Sequence, residues 1–373
     1  MKKFQIPNYK YPLFKIYCPK NIGKKIENIF KKGTVSEGYH SEKFQNKFAE
    51  FLKIDKKKCV LLNSATSALT LAYRLINLKK GDQVISTPLT CPATNEPLFN
   101  SGVKIRFADI DKNSGNIDPE SVKRLINKKT KAIIAVHWAG QPADIQSIKK
   151  IIGKRKIKII EDAAHALGAK LNNRFIGNHG DFICFSFQAV KHMTTGDGGA
   201  LICKNKKDAA LAKKLRWFGV SRDYKGNKWK QDIKDSGYKF HTNDLSSVIG
   251  LEQLKTMNKK IRLHKKNGTY FDKNIKNKKI LKLKRLNNSE SSHWIYTVLV
   301  DKKDKFKNYL KKFGIRSDEV HFRNDNYTIF KKFKEFNLPG MDYFEKHMIN
   351  IPVGWWLNNK DIKFIIKKLN EYK

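Results

Sequence analysis

Two short apolar runs, at residues 157–160 and 182–187, each end in a group that can do chemistry. The first leads into Glu161-Asp162-Ala163-Ala164-His165, and the second into Gln188-Ala189-Val190-Lys191, which places Lys191 29 residues after Asp162. A Gly-rich segment follows, Thr194-Thr195-Gly196-Asp197-Gly198-Gly199, and an earlier run of small residues, Asn63-Ser64-Ala65-Thr66-Ser67-Ala68, opens a helical pattern. Parallel strands deliver functional groups at their carboxyl ends, so the Asp and the Lys are expected at one sheet edge. Pyridoxal phosphate chemistry has three needs: a lysine for a Schiff base, a carboxylate on the pyridinium nitrogen, and backbone N–H groups at a helix start for the phosphate. Singly, each piece has an ordinary alternative. Asp162 could cap a turn, Lys191 is one lysine among 66, Ser64–Thr66 could be a plain helix cap, and Gly198-Gly199 a hairpin turn. Their order around one edge favours the chemistry.

The elements that must position these groups are legible in the apolar spacing. Residues 64–78 carry Ala68, Leu69, Leu71, Ala72 and Leu75 on one face, which predicts a helix. Strands are expected at 83–86, 103–108, 132–137, 157–160 and 182–187, and helices at 121–126, 208–218 and 244–257. Apolar runs of strand length separated by helices indicate a largely parallel sheet inside an α/β layer fold. From Asn258 to Asn288 the composition turns Lys- and Asn-rich, which reads as a solvated helix and linker. A strand at 294–300 and a helix at 361–369 suggest a smaller C-terminal unit. The expected division is 1–257 for the large domain and 258–373 for the smaller one.

Composition bounds the partners. The 373 residues hold 77 Lys and Arg against 34 Asp and Glu, a formal net charge of +43. Such a balance invites a nucleic-acid reading. However, the cations are spread along the whole chain and Lys outnumbers Arg sixfold, although Arg is the better base reader. A 40% hydrophobic fraction with regular apolar runs excludes a disordered polycation. No apolar run approaches the ~18–20 residues that span a bilayer, and residues 1–20 lack the apolar core of a secretory signal. Cys18, Cys59, Cys91, Cys184 and Cys203 form no CxxC pair, so no metal site or disulfide framework is expected. A cytoplasmic protein with buried free thiols follows, one that binds neither nucleic acid nor membrane.

The segments together resemble the DegT/StrS-type sugar-nucleotide aminotransferases, a branch of the fold type I pyridoxal phosphate enzymes. The likeness rests on Glu161-Asp162-Ala163-Ala164-His165, on Ser186-Phe187 followed by Lys191, and on Thr194 to Gly199. Val136-His137-Trp138-Ala139-Gly140-Gln141-Pro142 and Gly237-Tyr238-Lys239-Phe240-His241-Thr242-Asn243-Asp244 extend it over nearly the whole chain. It implies the three-layer α/β aminotransferase fold, with a largely parallel central sheet and a smaller α+β C-terminal domain. It further implies Lys191 as catalytic lysine and proton shuttle in a Schiff base with pyridoxal 5'-phosphate. Asp162 is implied as pyridinium partner and His165 as neighbour of the ring oxygen, with Ala65, Thr66 and Ser186 on the phosphate. In relatives the 237–244 loop reaches the neighbouring subunit's cofactor, which implies a homodimer with active sites at the interface. His321 and Arg323 fall where relatives bring a loop over the substrate, with a surface ion pair as the alternative for Arg323. The implied reaction moves an amino group from glutamate to a nucleotide-linked 4-keto-6-deoxy sugar. Its product is a 4-amino-4,6-dideoxy sugar nucleotide of the perosamine or viosamine kind. A 3-keto substrate is one alternative, and a regulator that keeps the cofactor without turnover is another. Lys191 argues against the branch that carries His there and dehydrates sugars. Two departures stand out: Thr90-Cys91-Pro92 where many relatives have a stacking aromatic residue, and Lys239 where they have Asn. The pair Trp355-Trp356 is expected to pack in the core.

Overall fold

The computed structural model describes residues 9–222, 224–227, 230–335 and 337–373. The start of the segment read above for a secretory signal, residues 1–8, lies outside them.

Seven strands form the central sheet, in the order Cys59–Leu62, Gly199–Cys203, Phe182–Ser186, Lys158–Asp162, Thr130–Val136, Gln83–Ser86 and Lys104–Phe107. Gly199–Cys203 runs antiparallel to both of its neighbours, and the other neighbouring pairs are parallel. Nearly every strand residue is buried because helices cover both faces, and side chains alternate between two cores with the period of two that a pleat imposes. Val60, Leu62, Ile134, Ile160, Cys184 and Leu201 pack to one side, against the helix Ala65–Leu75. Cys59, Leu61, Ile133, Ile159, Ile183 and Ile202 pack to the other, against the helix Tyr39–Phe51 and the aromatic cluster of Phe44, Phe48, Phe185 and Phe187. The fold is therefore the three-layer α/β arrangement expected from the sequence. Cys59, Cys184 and Cys203 are buried free thiols, Cys91 is half-buried and Cys18 is exposed.

The C-terminal segment builds a second sheet of Leu281–Lys282, Tyr296–Leu299 and Met348–Ile351, antiparallel throughout. The helices Lys303–Lys311 and Asn359–Glu371 cover it around Phe306, Leu310, Ile365 and Leu369. A helix of 31 residues, Asp244–Asn274, serves both units and runs through residues 257 and 258 without a break. The sequence reading ended it at Met257, and its continuation has a physical cause. Met257, Ile261, His264, Gly268 and Phe271 follow at spacings of three and four and form one buried stripe. Two of these five, His264 and Gly268, are polar or glycine, so apolar periodicity alone did not show it. Gly268 is required there, since a Cβ would fall 2.2 Å from the His293 ring. Trp355 and Trp356 are half-buried, and the Trp356 indole N–H donates to the Pro12 carbonyl at 3.1 Å. Among the described residues no helix is long and apolar enough to cross a membrane, and no group of His, Cys, Asp and Glu is arranged to hold a metal ion.

Candidate active site

The site lies at the carboxyl edge of the parallel strands, in a cavity of about 460 Å³ lined by Ser64–Thr66, Cys91, Asp162, His165, Ser186 and Lys191, with Trp294 and His321 from the C-terminal segment. Each group arrives there for a local reason. Glu161 and Asp162 end one strand and point to opposite faces. Glu161 turns into the core, where its carboxylate accepts from His137 Nε2 at 2.8 Å and from the Gly180 amide. Ala143 N–H donates to His137 Nδ1 at 3.0 Å, which fixes the tautomer with its proton on Nε2. Asp162 turns into the cavity. Its Oδ2 accepts from the Thr94 hydroxyl at 2.7 Å and its Oδ1 from the Ala164 amide at 3.0 Å, so the carboxylate is aimed before any ligand arrives.

The phosphate end is built on a helix start. Ser64 is the extended N-cap of Ala65–Leu75 and accepts from Ser67 N–H at 3.0 Å, while the Ser67 hydroxyl donates to Asn63 Oδ1 at 2.6 Å. First-turn amides such as those of Ala65 and Thr66 have no acceptor within the helix, and the helix dipole adds positive character there. The Lys191 loop closes beside them through Phe187 N–H to Gly198 C=O at 2.8 Å and Thr195 N–H to Phe187 C=O at 2.9 Å. Gly196 sits at φ +83°, a conformation that favours glycine. Gly198-Gly199 lies in the antiparallel ladder and not at the bend, with Gly199 opposite Ser186, and Gly199 also lies against the helix start. A Cβ on Gly199 would sit 2.4 Å from the Ser64 carbonyl and 2.6 Å from the Ala65 nitrogen. Gly199→Ala should therefore cost about 1–3 kcal/mol and loosen the cradle. Unfolding midpoint and anion affinity measure this, and wild-type values for both would show that the cradle yields freely.

Lys191 projects over the Trp294 ring, its Nζ 4.0 Å from the centroid. Burial lowers its ammonium to about 8, against the pull of Asp162, which favours the charged form. Trp294 is fixed in turn by its indole N–H, which donates to Val190 C=O at 2.8 Å, and by stacking on Phe14 at 5.1 Å. His165 stacks on the same indole at 3.8 Å, and its Nε2 meets His321 Nε2 at 3.3 Å. Burial, followed by Lys191, holds the His165 imidazole well below its ordinary value, so it is neutral.

The structure thus brings Ala65, Thr66, Asp162, His165, Ser186, Lys191 and His321 to one cavity, and it does not bring Arg323. The Arg323 guanidinium is held by Asp325 in two bonds of 2.7 Å, by Asp342 at 2.5 Å and by Glu345 at 3.2 Å. It is an ion pair, but one in which Arg323 and Asp325 are buried and not the surface pair expected as the alternative. Sequence reading missed Thr94, Trp294 and Trp138, which hold Asp162, Lys191 and the two histidines. Cys91 lines the cavity, and burial pushes its thiol up. In the 237–244 loop, Asn243 caps the long helix by accepting from Ser246 N–H, and Asp244 accepts from Gly38, His40 and Ser41. Both are committed within the chain.

The donor set suits pyridoxal phosphate. Among the described residues no carboxylate pairs with Lys191, His165 Nδ1 is buried without a hydrogen-bond partner, and the helix start beside Gly199 leaves no room for a Cβ there.

Comparison with known proteins identifies the family. The DegT/DnrJ/EryC1/StrS aminotransferase family matches residues 18–370. A relative from Campylobacter jejuni, named UDP-4-amino-4,6-dideoxy-N-acetyl-beta-L-altrosamine transaminase, is 32% identical over 352 residues, covering 91% of each chain. A GDP-perosamine synthase from Vibrio cholerae is 27% identical over 97% of this chain and 98% of its own. Among solved structures, AtS13 from Actinomadura melliaura superimposes with a TM-score of 0.93 at 32% identity, covering 99% of this chain and 100% of that one. With the match spanning nearly the full length, the chain belongs to the DegT/DnrJ/EryC1/StrS aminotransferase family.

Proposed function

We propose that the protein is a pyridoxal phosphate-dependent aminotransferase that carries an amino group from glutamate to the 4-keto position of a nucleotide-linked 4-keto-6-deoxy sugar, making the 4-amino-4,6-dideoxy sugar nucleotide and 2-oxoglutarate. The observation that carries this reading is the convergence of Lys191, Asp162 and His165 on one cavity that ends at the helix start of Ala65. When bound, the cofactor supplies an electron sink and a carrier for the amino nitrogen. The chain's residues do the rest. Ala65 and Thr66 hold the phosphate through backbone N–H groups, and the Ser186 hydroxyl joins them. Asp162, braced by Thr94 and Ala164, keeps a proton on the ring nitrogen. Lys191 takes a proton from the donor carbon and returns one to the sugar carbon, a task suited to an amine that burial has brought near neutral pH. The 4-position is supported by the name of the Campylobacter relative.

Lys239 and His241 are the residues of the 237–244 loop left to reach a partner subunit, because Asn243 and Asp244 are spent within the chain. In the proposed homodimer they stand near the partner's phosphate. The first half of the reaction gives a simple test. The purified protein should carry a visible absorbance band that glutamate bleaches, with release of 2-oxoglutarate. A colourless protein that binds no cofactor would sink the proposal. The surface charge should also steer the anionic substrate, so KM is expected to rise roughly threefold between low and high salt. A KM independent of salt would leave the +43 as compositional background.

A further inference from the structure

The proposed mechanism gives no role to the contact between His165 and His321 in the cavity. The two residues lie 156 positions apart, one beside the central sheet and the other in the C-terminal segment. Their rings are 8° from coplanar with centroids 5.3 Å apart. The ring planes are thus nearly parallel, with the two Nε2 atoms 3.3 Å apart and within hydrogen-bond reach. Trp294 covers the His165 face, and Trp138 sets its indole against both rings at 6.1 and 5.9 Å. Burial brings the His321 imidazole down to about 3. The groups that act on His165 are Lys191, His321, His192 and His137, and Lys191 also acts on His321, all of them against a positive charge. On its other side His321 borders a small pocket with Asp318, Glu319, Arg323 and Glu345. The pair is neutral and holds one N–H on each ring.

Two neutral imidazoles joined through their Nε2 atoms have two arrangements. If His321 donates, His165 keeps its proton on Nδ1 and offers a donor there. If His165 donates, its Nδ1 is a bare lone pair, which would repel an oxyanion. His165 Nδ1 is buried without a hydrogen-bond partner. Resting on the function proposed above, we infer that His321 is a positioning residue that donates to His165 and thereby sets it as an Nδ1–H donor toward the ring oxygen of the cofactor. The C-terminal segment that carries His321 thus controls the cofactor's electronics from the substrate side.

The test is the pH titration of the visible band of the Lys191-bound cofactor in wild type, His321→Ala, His321→Gln, His165→Phe and the double variant. Losing a donor at the ring oxygen strengthens that oxygen's hold on the neighbouring proton. The midpoint should therefore rise by roughly one unit in His321→Ala. His321→Gln, whose amide can donate, should return it toward wild type. The double variant should match His165→Phe, because His321 acts through His165. A wild-type midpoint in His321→Ala, or shifts that add in the double variant, would overturn the inference while the band itself leaves the cofactor assignment standing. Nitrogen-15 NMR of histidine-labelled apo protein reads the tautomer directly. His165 protonated on Nδ1 supports the inference, and His165 protonated on Nε2 refutes it even if a variant folds poorly.

Discussion

Lys191→Ala is expected to lower kcat by roughly 10⁴-fold, because one substitution removes both the attachment point and the proton carrier. The substitution should leave the fold intact, since the Lys191 amine makes no ion pair among the described residues and its backbone turn closes on Gln188. Burial has a further consequence for stability. The folded-state value of about 8 lies below the ordinary 10.5, so the folded protein disfavours the protonated amine. That penalty is fully present below pH 8 and disappears as the pH rises toward 10.5. Lys191→Met, which keeps the stem and deletes the charge, should accordingly be more stable than wild type at pH 7, by on the order of 3 kcal/mol at most, and equal to it at high pH. The neutral amine is the nucleophile, so attachment of free cofactor to the apo protein should speed up as pH rises through about 8 and level off above it. Denaturant unfolding at two pH values and a rapid-mixing absorbance trace measure these effects. An active Lys191→Ala protein would remove the lysine from the mechanism.

Asp162→Asn is expected to retain the cofactor and lose about 100-fold in kcat, the worth of a charge-assisted hydrogen bond of about 1.5–3 kcal/mol. The Asn side chain still has an oxygen for the Ala164 amide, and its NH₂ can donate to the Thr94 hydroxyl. The loss should therefore come from charge and not from misfolding. Turnover with an unchanged unfolding midpoint would separate the two. An Asn variant with wild-type kcat would show that ring protonation is supplied from elsewhere.

Asp162 and Lys191 were legible in the sequence because each comes within four residues of the end of an apolar run of strand length, and such runs in a parallel sheet end at the same edge. The sheet itself was legible for the same reason, since strands buried on both faces leave unbroken apolar runs. The groups that aim the chemistry were not. Thr94 reaches Asp162 across 68 residues, and Trp294 reaches Val190 across 104. Neither contact leaves a local pattern, because a hydroxyl on a helix and an indole before a strand look the same with or without a partner. Arg323 misled through rarity. Its partners Asp342 and Glu345 lie 19 and 22 residues on, and Asp325 is two away. The continuity of the long helix past Met257 escaped, and its second half read as solvated, because the buried face there includes His264, Asn267 and Gly268, which apolar periodicity does not register.

The most direct measurement of the central claim is incubation of the purified protein with glutamate and a panel of GDP-, dTDP- and UDP-linked 4-keto-6-deoxy and 3-keto sugars, followed by mass detection and NMR of the product. The result expected is one nucleotide sugar in which the 4-keto oxygen is replaced by an amine, with one 2-oxoglutarate released for each. An amine at the 3-position, or a cofactor-loaded protein that converts no sugar in the panel, would contradict it.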